Sequence, residues 1–144
     1  MNIDTIQSGI VIDHIKAGNS MRIYQLLGLD RLACSVAIIK NCKSVKMGRK
    51  DIIKIDEDIE VNLDVLGYID PNATVSIIRD GVTILKKKLS PPQRIANVIR
   101  CGNPRCITTT EPGLDHTFIL VDGARGLYRC AYCDSLSPVH ASAN

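Results

Sequence analysis

Four cysteines in two close pairs are the residues of this sequence whose spacing points most directly to chemistry. Cys101 and Cys106 form a C-x4-C pair, and Cys130 and Cys133 form a C-x2-C pair after a long loop. Each pair can present two thiolates from one turn, and two such turns supply the tetrahedral set of sulfurs that Zn²⁺ prefers. Four protein ligands leave no open position for water or substrate, so the spacing predicts a structural zinc ion rather than a catalytic one.

Two other uses of these cysteines stay open at the level of the sequence. The segment "CAYC", residues 130–133, could act as a redox dithiol, and four cysteines could also hold an iron–sulfur cluster. His116 could in principle replace one cysteine, but it stands alone in the intervening loop, and we expect a solvated or hydrogen-bonding role for it. Cys34 and Cys42 lie in or beside an aliphatic strand and are expected to be buried as small hydrophobic residues.

The remaining residues offer little for catalysis. Asp13 and His14 are adjacent on a predicted strand, where neighbouring side chains point to opposite faces and cannot form a tight dyad. The sequence contains no G-x-x-x-x-G-K-[ST] phosphate loop, no G-x-S-x-G nucleophile motif and no histidine metal triad. The four carboxylates between Asp56 and Glu60 are most simply the exposed start of a helix. We therefore expect a protein that is not an enzyme.

A group of lysines makes the first half of the chain a candidate anion-binding surface. Lys50 and Lys54 are four residues apart on a predicted strand, which places them on one face, about 13 Å apart. Lys86, Lys87 and Lys88 close a predicted hairpin. These residues fit a solvated charged rim, and they also fit a binding site for a small polyanion such as a nucleotide.

The composition limits the classes of protein to which the chain can belong. The net charge of +3 and the pI of about 8.6 permit anion binding without requiring a nucleic acid. One Phe, four Tyr and no Trp provide few aromatic rings for stacking on bases. No stretch approaches the roughly 20 apolar residues that cross a bilayer. No export signal is evident, so we expect a cytoplasmic protein without membrane contact.

The order of predicted elements indicates an α+β fold. Strands are predicted over 6–15, 34–40 and 48–56, helices over 19–30 and 56–70, and a hairpin over 73–88 with its turn at Asp80-Gly81. This order is the ferredoxin-like βαββαβ arrangement with one extra strand. Two helices would cover one face of an antiparallel sheet. The other face would be free, and such a face is often covered by a second copy of the chain.

A change in composition near Pro91-Pro92 predicts a boundary between a first domain, residues 1–90, and a second domain, residues 91–144. A short helix could follow the two prolines. The second segment has too few apolar residues to fold around its own core, and domains of this size generally need a staple such as a metal ion. We expect a small all-β domain held by zinc.

A zinc-ribbon protein that binds nucleic acid is the alternative function. Such a protein would need a basic zinc module. Between residues 101 and 133, however, three arginines are balanced by three acidic residues, namely Arg105, Arg125 and Arg129 against Glu111, Asp115 and Asp122.

Several motifs occur together in a specific order. The segments "GIVIDHI", "MGRKDIIKI" and "PNATVSIIRDG", followed by the C-x4-C…C-x2-C tail, closely resemble the regulatory chain of aspartate carbamoyltransferase over nearly the whole sequence. The resemblance implies an allosteric subunit without its own activity. It implies that the N-terminal domain binds CTP, ATP or UTP and pairs with a second regulatory chain, while the zinc domain docks on a catalytic chain. It further implies an assembly of two catalytic trimers joined by three regulatory dimers.

The resemblance also implies a set of nucleotide-binding residues. The positions that match those of the family near the nucleotide are Asp4, Thr5, Ile6, Val11, Asp13, His14, Lys50, Lys54, Ile78 and Lys86. In the family, the counterpart of Lys54 lies by the ribose and base and that of Lys86 by the phosphates. Ser76 stands where the family often has Asn, and Gly81 stands where some members have Tyr. These two departures leave the nucleotide selectivity open.

Overall fold

A computed structural model describes residues 6–137 of the chain. The chain divides into two compact units, residues 1–90 and residues 91–144. Asp4 and Thr5 lie outside the described residues. Among residues 6–137, no helix has the length and apolar character needed to cross a membrane.

The first unit is built around a five-stranded antiparallel sheet with the strand order β2-β3-β1-β4-β5. The strands are β1 (Gly9–Lys16), β2 (Val36–Ser44), β3 (Gly48–Ile55), β4 (Thr74–Arg79) and β5 (Val82–Lys88). Two helices, α1 (Ser20–Leu26) and α2 (Leu63–Ile69), provide the two crossovers, and a 3-10 turn at Leu29–Arg31 follows α1. The predicted βαββαβ order with one extra strand is confirmed, and the extra strand β5 lies at an edge of the sheet.

Burial alternates along the central strands, because successive side chains of a strand point to opposite faces. Ile10, Ile12, Ile53 and Ile55 are 0–2% exposed and form the core beside α1 and α2. Their strand neighbours on the other face are only half-buried. The sheet therefore has one face inside the core and one open face, and the open face is where polar side chains can meet a ligand.

Helix α2 begins later than predicted. The sequence suggested a helix from Asp56, but the first helical residue is Leu63. The Asn62 side chain accepts hydrogen bonds from the backbone N–H groups of Asp64 and Val65, at 3.1 and 3.2 Å. An Asn in this position satisfies N–H groups that have no partner within the helix, so it fixes the helix start. The acidic residues before Asn62 therefore belong to the preceding connection.

The β4–β5 hairpin turns where the sequence predicted. Asp80 and Gly81 both have positive φ, 51° and 75°. Two consecutive left-handed residues are the backbone of a type I′ turn, whose twist matches that of the flanking strands.

The second unit contains a three-stranded antiparallel sheet with the order β6-β7-β8. Its strands are β6 (Arg94–Ala96), β7 (Thr117–Asp122) and β8 (Leu127–Cys130). The segment after Pro91-Pro92, where the sequence allowed a short helix, is strand β6 instead, because Ile95 pairs with Phe118 and both are buried. The small β domain that the sequence predicts is confirmed, and it also contains a four-residue helix, α3 (Ile107–Thr110), after the first cysteine pair.

Candidate functional site

The four cysteines of the second unit converge on one point. Their Sγ atoms all lie within 4.8 Å of one another. The Sγ atoms of Cys101 and Cys133 are 3.5 Å apart, and those of Cys106 and Cys130 are 3.7 Å apart. Metal–sulfur bonds of about 2.3 Å in tetrahedral geometry require sulfurs about 3.8 Å apart. The arrangement therefore fits a four-thiolate metal centre with no open coordination position.

Two tight turns deliver the cysteines in pairs. In the first turn, the Cys106 N–H donates to the carbonyl of Asn103, at 3.1 Å. In the second turn, Cys130 is the last residue of β8, and its carbonyl accepts from the Asp134 N–H at 2.9 Å. Asp134 adopts a left-handed conformation, with φ 63°, which lets the chain fold back on itself. The pairing seen in the sequence is therefore the pairing of two local turns.

Nearby hydroxyl groups favour the thiolate form of two of these cysteines. Thr108 Oγ1 lies 3.1 Å from Cys106 Sγ, and this contact lowers the pKa of the Cys106 thiol. Ser135 Oγ lies 3.2 Å from Cys133 Sγ and lowers the pKa of that thiol to about 6. Burial raises the pKa of Cys101 to about 12. Four thiolates so close together repel one another, so a bound cation is what allows all four to be ionised.

The other sulfur and imidazole candidates do not join this cluster. Among the described residues, the four-sulfur group includes no histidine. The backbone N–H of His116 donates to Asn97 Oδ1 at 3.0 Å, and its carbonyl accepts from the Asn97 N–H at 2.9 Å. Cys34 and Cys42 were expected to be buried but are half-buried. Cys42 lies on β2, whose open face is partly exposed, and its Sγ donates to the Lys50 carbonyl at 3.2 Å.

The first unit has a concave site of about 360 Å³ on the open face of its sheet. Its lining residues are Ile6, Val11, Asp13, Ile52, Lys54, Ile78 and Gly81. All of these except Ile52 and Gly81 belong to the nucleotide-binding set implied by the sequence. Ile52 could have been found from its spacing, because it lies two residues before Lys54 on the same strand and so shares its face.

Strand register adds Lys86 to the surroundings of this site. Lys54 pairs with Val11, Val11 pairs with Ser76, and Ser76 pairs with Lys86. Residues directly opposite on neighbouring strands project from the same face. With neighbouring strands about 4.8 Å apart, the Lys54 and Lys86 backbones are separated by about 14 Å. Two cations thus flank an apolar centre, and Ser76, one of the two departures from the family pattern, lies between them.

A bulge in β1 shapes the polar end of the site. The pairing of β1 with β3 shifts between Ile12 and Ile15, so Asp13 and His14 together occupy the space of one residue of β3. His14 has φ 57°, which is uncommon for a residue other than Gly. Asp13 Oδ1 accepts from the His14 N–H at 2.6 Å. His14 Nδ1 lies 3.0 Å from Thr74 Oγ1. The regular alternation assumed for Asp13 and His14 is therefore wrong, although their side chains still take different partners.

Asp13 also forms an ion pair with Lys50. Lys50 Nζ lies 2.9 Å from Asp13 Oδ1. Burial opposes the ionisation of Asp13, but the hydrogen bonds from Lys50 and from the His14 N–H outweigh it, so the pKa of Asp13 lies below its ordinary value. The charge of Lys50 is therefore partly compensated within the protein. Neither Lys50 nor His14 is among the lining residues of the concave site, and each contacts the lining residue Asp13.

Comparisons with known proteins cover both units. Residues 1–90 match the family model described as aspartate carbamoyltransferase regulatory chain, allosteric domain. Residues 93–137 match the model described as aspartate carbamoyltransferase regulatory chain, metal binding domain.

Individual relatives are similar over nearly their whole length. An aspartate carbamoyltransferase regulatory chain from Clostridium botulinum is 47% identical over 136 residues, which cover 94% of this chain and 93% of the relative. The regulatory chain from Bifidobacterium longum is 46% identical over 134 residues, covering 93% and 96%. The one from Clostridium tetani is 45% identical over 140 residues, covering 96% and 97%.

Proposed function

The chain belongs to the family of aspartate carbamoyltransferase regulatory chains, and we propose from this that its first unit binds CTP, ATP or UTP as an allosteric effector. It is a regulatory subunit and not a catalytic one. The nucleotide signal would act on a separate catalytic chain in the cytoplasm, within pyrimidine biosynthesis. The nucleic-acid-binding alternative gains no support from the comparisons.

The observation that carries this proposal is the concave site between Lys54 and Lys86. Its centre is apolar, with Val11 and Ile78 available to contact a nucleotide base. The backbones of Lys54 and Lys86 are about 14 Å apart, across three strand spacings, and this separation suits a ligand with a base at one end and phosphates at the other. In the proposed arrangement Lys54 lies by the ribose and base, and Lys86 lies by the phosphates. Lysine ammonium groups can neutralise phosphates as point charges.

Calorimetric titration of CTP, ATP and UTP into the parent chain and two variants tests this site. Lys54→Ala and Lys86→Ala should each weaken binding by about 10- to 150-fold, because each removes a charge-assisted hydrogen bond worth roughly 1.5–3 kcal/mol. Lys87→Ala is the matched control, since Lys87 lines a recess on the other face of the sheet with Val75 and Leu85. If both lysine variants bound every nucleotide like the parent, the site would have to be elsewhere.

The metal of the second unit is proposed to be one structural Zn²⁺ per chain, held by Cys101, Cys106, Cys130 and Cys133. The cysteine geometry supports a tetrahedral ion with four thiolates. The zinc-bound unit would supply the surface that docks on the catalytic chain. Co-purification with a catalytic chain, followed by metal analysis, tests both statements. A complex that assembles normally after complete metal removal would contradict them.

A second regulatory chain is the other proposed partner. The sheet of the first unit has helices on one face only. A second copy would cover the part of the free face that lies outside the concave site, because exposed apolar patches commonly mark protein–protein interfaces. A fragment of residues 1–90, which form a compact unit, should sediment as a dimer at micromolar concentration. A strictly monomeric fragment would count against this homodimer.

A further inference from the structure

The end of β1 is held by a carboxylate from the end of α2. Asp70 follows the last residue of α2 and is only 3% exposed. Its Oδ2 accepts a hydrogen bond from the Lys16 N–H at 2.7 Å and another from Asn19 Nδ2 at 3.4 Å. Lys16 is the last residue of β1 and follows the bulge at Asp13–His14 by two residues. Asp70 therefore fixes the backbone immediately after the bulge.

A second buried carboxylate holds the residues between β1 and α1. Asp51, on β3, is fully buried, and its Oδ2 accepts from the Gly18 and Ser20 N–H groups at 3.1 and 3.2 Å. Its Oδ1 accepts from the Asn41 N–H at 2.7 Å. Burial opposes the ionisation of Asp51, but hydrogen bonds from Ser20, Asn41 and Gly18 lower its pKa below the ordinary value. Asp51 is thus a well-compensated buried anion that stabilises the fold.

Asp70 differs from Asp51 in how well its charge is compensated. Burial raises the pKa of Asp70, although hydrogen bonds from the Lys16 N–H and the Asn19 amide oppose that effect. A buried carboxylate with incomplete compensation lowers the stability of a fold compared with a neutral group of the same shape. A buried carboxylate whose charge the fold compensates incompletely is a candidate for a function beyond stability. The position of Asp70 indicates which function that is.

The connection that carries Asp70 contacts β1 within the bulge and just after it. Thr74, four residues after Asp70, contacts the His14 ring at 3.0 Å, and Asp70 binds the Lys16 N–H. A left-handed residue other than Gly persists only where its surroundings over-determine it. The two contacts, one on each side of Ile15, supply that constraint. They hold the bulge in the shape that places Asp13 in the concave site.

We propose that Asp70 is a positioning residue of the ligand site, which holds the Asp13–His14 bulge by accepting the Lys16 N–H. This inference rests on the proposed function for the ligand it concerns. Asp70 itself does not line the concave site. In this proposal, its effect on a nucleotide passes through the bulge and through Asp13.

The test uses the full-length chain with its metal and compares Asp70→Ala, Asp70→Asn and Asp64→Ala. Asp70→Ala removes the acceptor and should weaken CTP and ATP binding about 10-fold, the effect of one buried hydrogen bond. Asp70→Asn keeps an amide oxygen that can accept from Lys16, so its affinity should stay within about 3-fold of the parent. Asp64, exposed in the first turn of the same helix, is the matched control and should leave the affinity unchanged.

A double-mutant cycle separates positioning from general destabilisation. If Asp70 acts through the bulge, Asp70→Ala should have no further effect on affinity in an Asp13→Ala background, because coupled residues are not additive. A merely structural role would give losses that add. In ligand-free protein, the His14 ring resonances should shift in Asp70→Ala and stay in place in Asp64→Ala.

Three results would overturn the inference: parent-like affinity in Asp70→Ala, additive losses with Asp13→Ala, or unchanged His14 resonances. If Asp70→Ala did not fold, the His14 ring resonances of Asp70→Asn would decide. Because Asn keeps an acceptor for the Lys16 N–H, these resonances should match those of the parent, and a shift would contradict the proposed contact. If the parent bound no nucleotide, the proposed function would fail. The His14 resonances alone would then decide whether Asp70 holds the bulge.

Discussion

The first unit buries a layer of isoleucines between its sheet and its helices, whereas the second unit buries a small apolar group beside its cysteines. Among the described residues, the large buried apolar side chains of the second unit are Ile95, Phe118, Leu127 and Tyr128. A core of this size rarely stabilises a domain without a disulfide or a metal. The first unit should therefore fold by hydrophobic burial, and the second should fold only when its four thiolates hold an ion.

The largest expected effect is the unfolding of the second unit while the first unit stays folded. The variant Cys130→Ser, which replaces a fully buried cysteine, tests this. Structural zinc in small peptides contributes on the order of 10 kcal/mol at pH 7, which is comparable with the whole stability of a small domain. We expect the second unit to lose its folded NMR signals while those of the first unit persist. Cys34→Ser is the control, because Cys34 lies outside the cluster.

The opposite outcome for Cys130→Ser would be as informative. If the variant kept one full set of dispersed signals after metal removal, the second unit would have a sufficient core of its own. The contrast between the two units would then be wrong. A chelator titration of the parent chain, followed by the same signals, gives an independent version of this experiment.

The next largest effect concerns the buried hydrogen bonds to Asp51 in the first unit. Asp51→Asn replaces a carboxylate that accepts from three backbone N–H groups, those of Gly18, Ser20 and Asn41. Asn offers one acceptor oxygen, and its NH₂ group would face a donor. We expect a loss of about 2–3 kcal/mol in the free energy of unfolding by urea at pH 7.

The pH dependence of Asp51→Asn follows from the lowered pKa of Asp51. A carboxyl whose folded-state pKa lies below its ordinary value of 3.8 stabilises the fold above that pH, and this contribution is lost as the pH falls through the folded-state pKa. The difference in stability between parent and variant should therefore shrink between pH 5 and about pH 3. A difference that stayed constant over this range would mean that the Asp51 charge contributes nothing.

Replacing Asp70 by Asn should change the free energy of unfolding less than Asp51→Asn does, and in the opposite direction. The folded-state pKa of Asp70 lies above the ordinary value of 3.8, so its stabilising contribution is present below that pH and is lost as the pH rises through the folded-state pKa. Asp70→Asn removes the buried charge and keeps an acceptor. Its stability should equal or exceed that of the parent by up to about 1 kcal/mol at pH 7, and thermal unfolding at pH 4 and pH 7 measures this. A clear loss at pH 7 would show that the charge of Asp70 is needed for folding.

The two units also differ in what the sequence could reveal. The Cys101–Cys106 and Cys130–Cys133 pairs were predictable because each pair belongs to one local turn. The order of helices and strands along the chain was predictable because hydrophobic periodicity is also local. The bulge at Asp13–His14 was not, since its contacts come from residues far away in the sequence: the His14 ring contacts Thr74, and the Lys16 N–H just after the bulge donates to Asp70. The pattern of the sequence records the period of a strand and not the distant contact that interrupts it.

Strand β6 and the start of α2 were the other features that the sequence did not predict correctly. Strand β6 has only three residues, too few to show a period, and its identity depends on pairing with β7. The start of α2 was misjudged because acidic residues at Asp56–Glu60 favour a helix start as well as an exposed connection. The Asn62 side chain caps the helix and places its start after the acidic residues. An N-cap of this kind could have been recognised from the sequence.

The smallest expected effect tests whether the basic surface of the first unit acts through specific contacts or only through its field. Lys88 pairs with Thr74 on the same face as Lys86 but lies two residues, about 7 Å, further along β5. Lys88→Ala should weaken ATP binding by about 2- to 3-fold in 20 mM salt, and the effect should vanish near 0.3 M salt, because exposed charges at this distance are screened. Lys87→Ala, on the other face, should have no effect in either condition. Arg125→Ala removes an exposed cation from the second unit and should also leave the affinity unchanged. A salt-independent loss in Lys88→Ala would mean a direct contact with the nucleotide, and a loss in Arg125→Ala would mean that the second unit contributes to the field at the site.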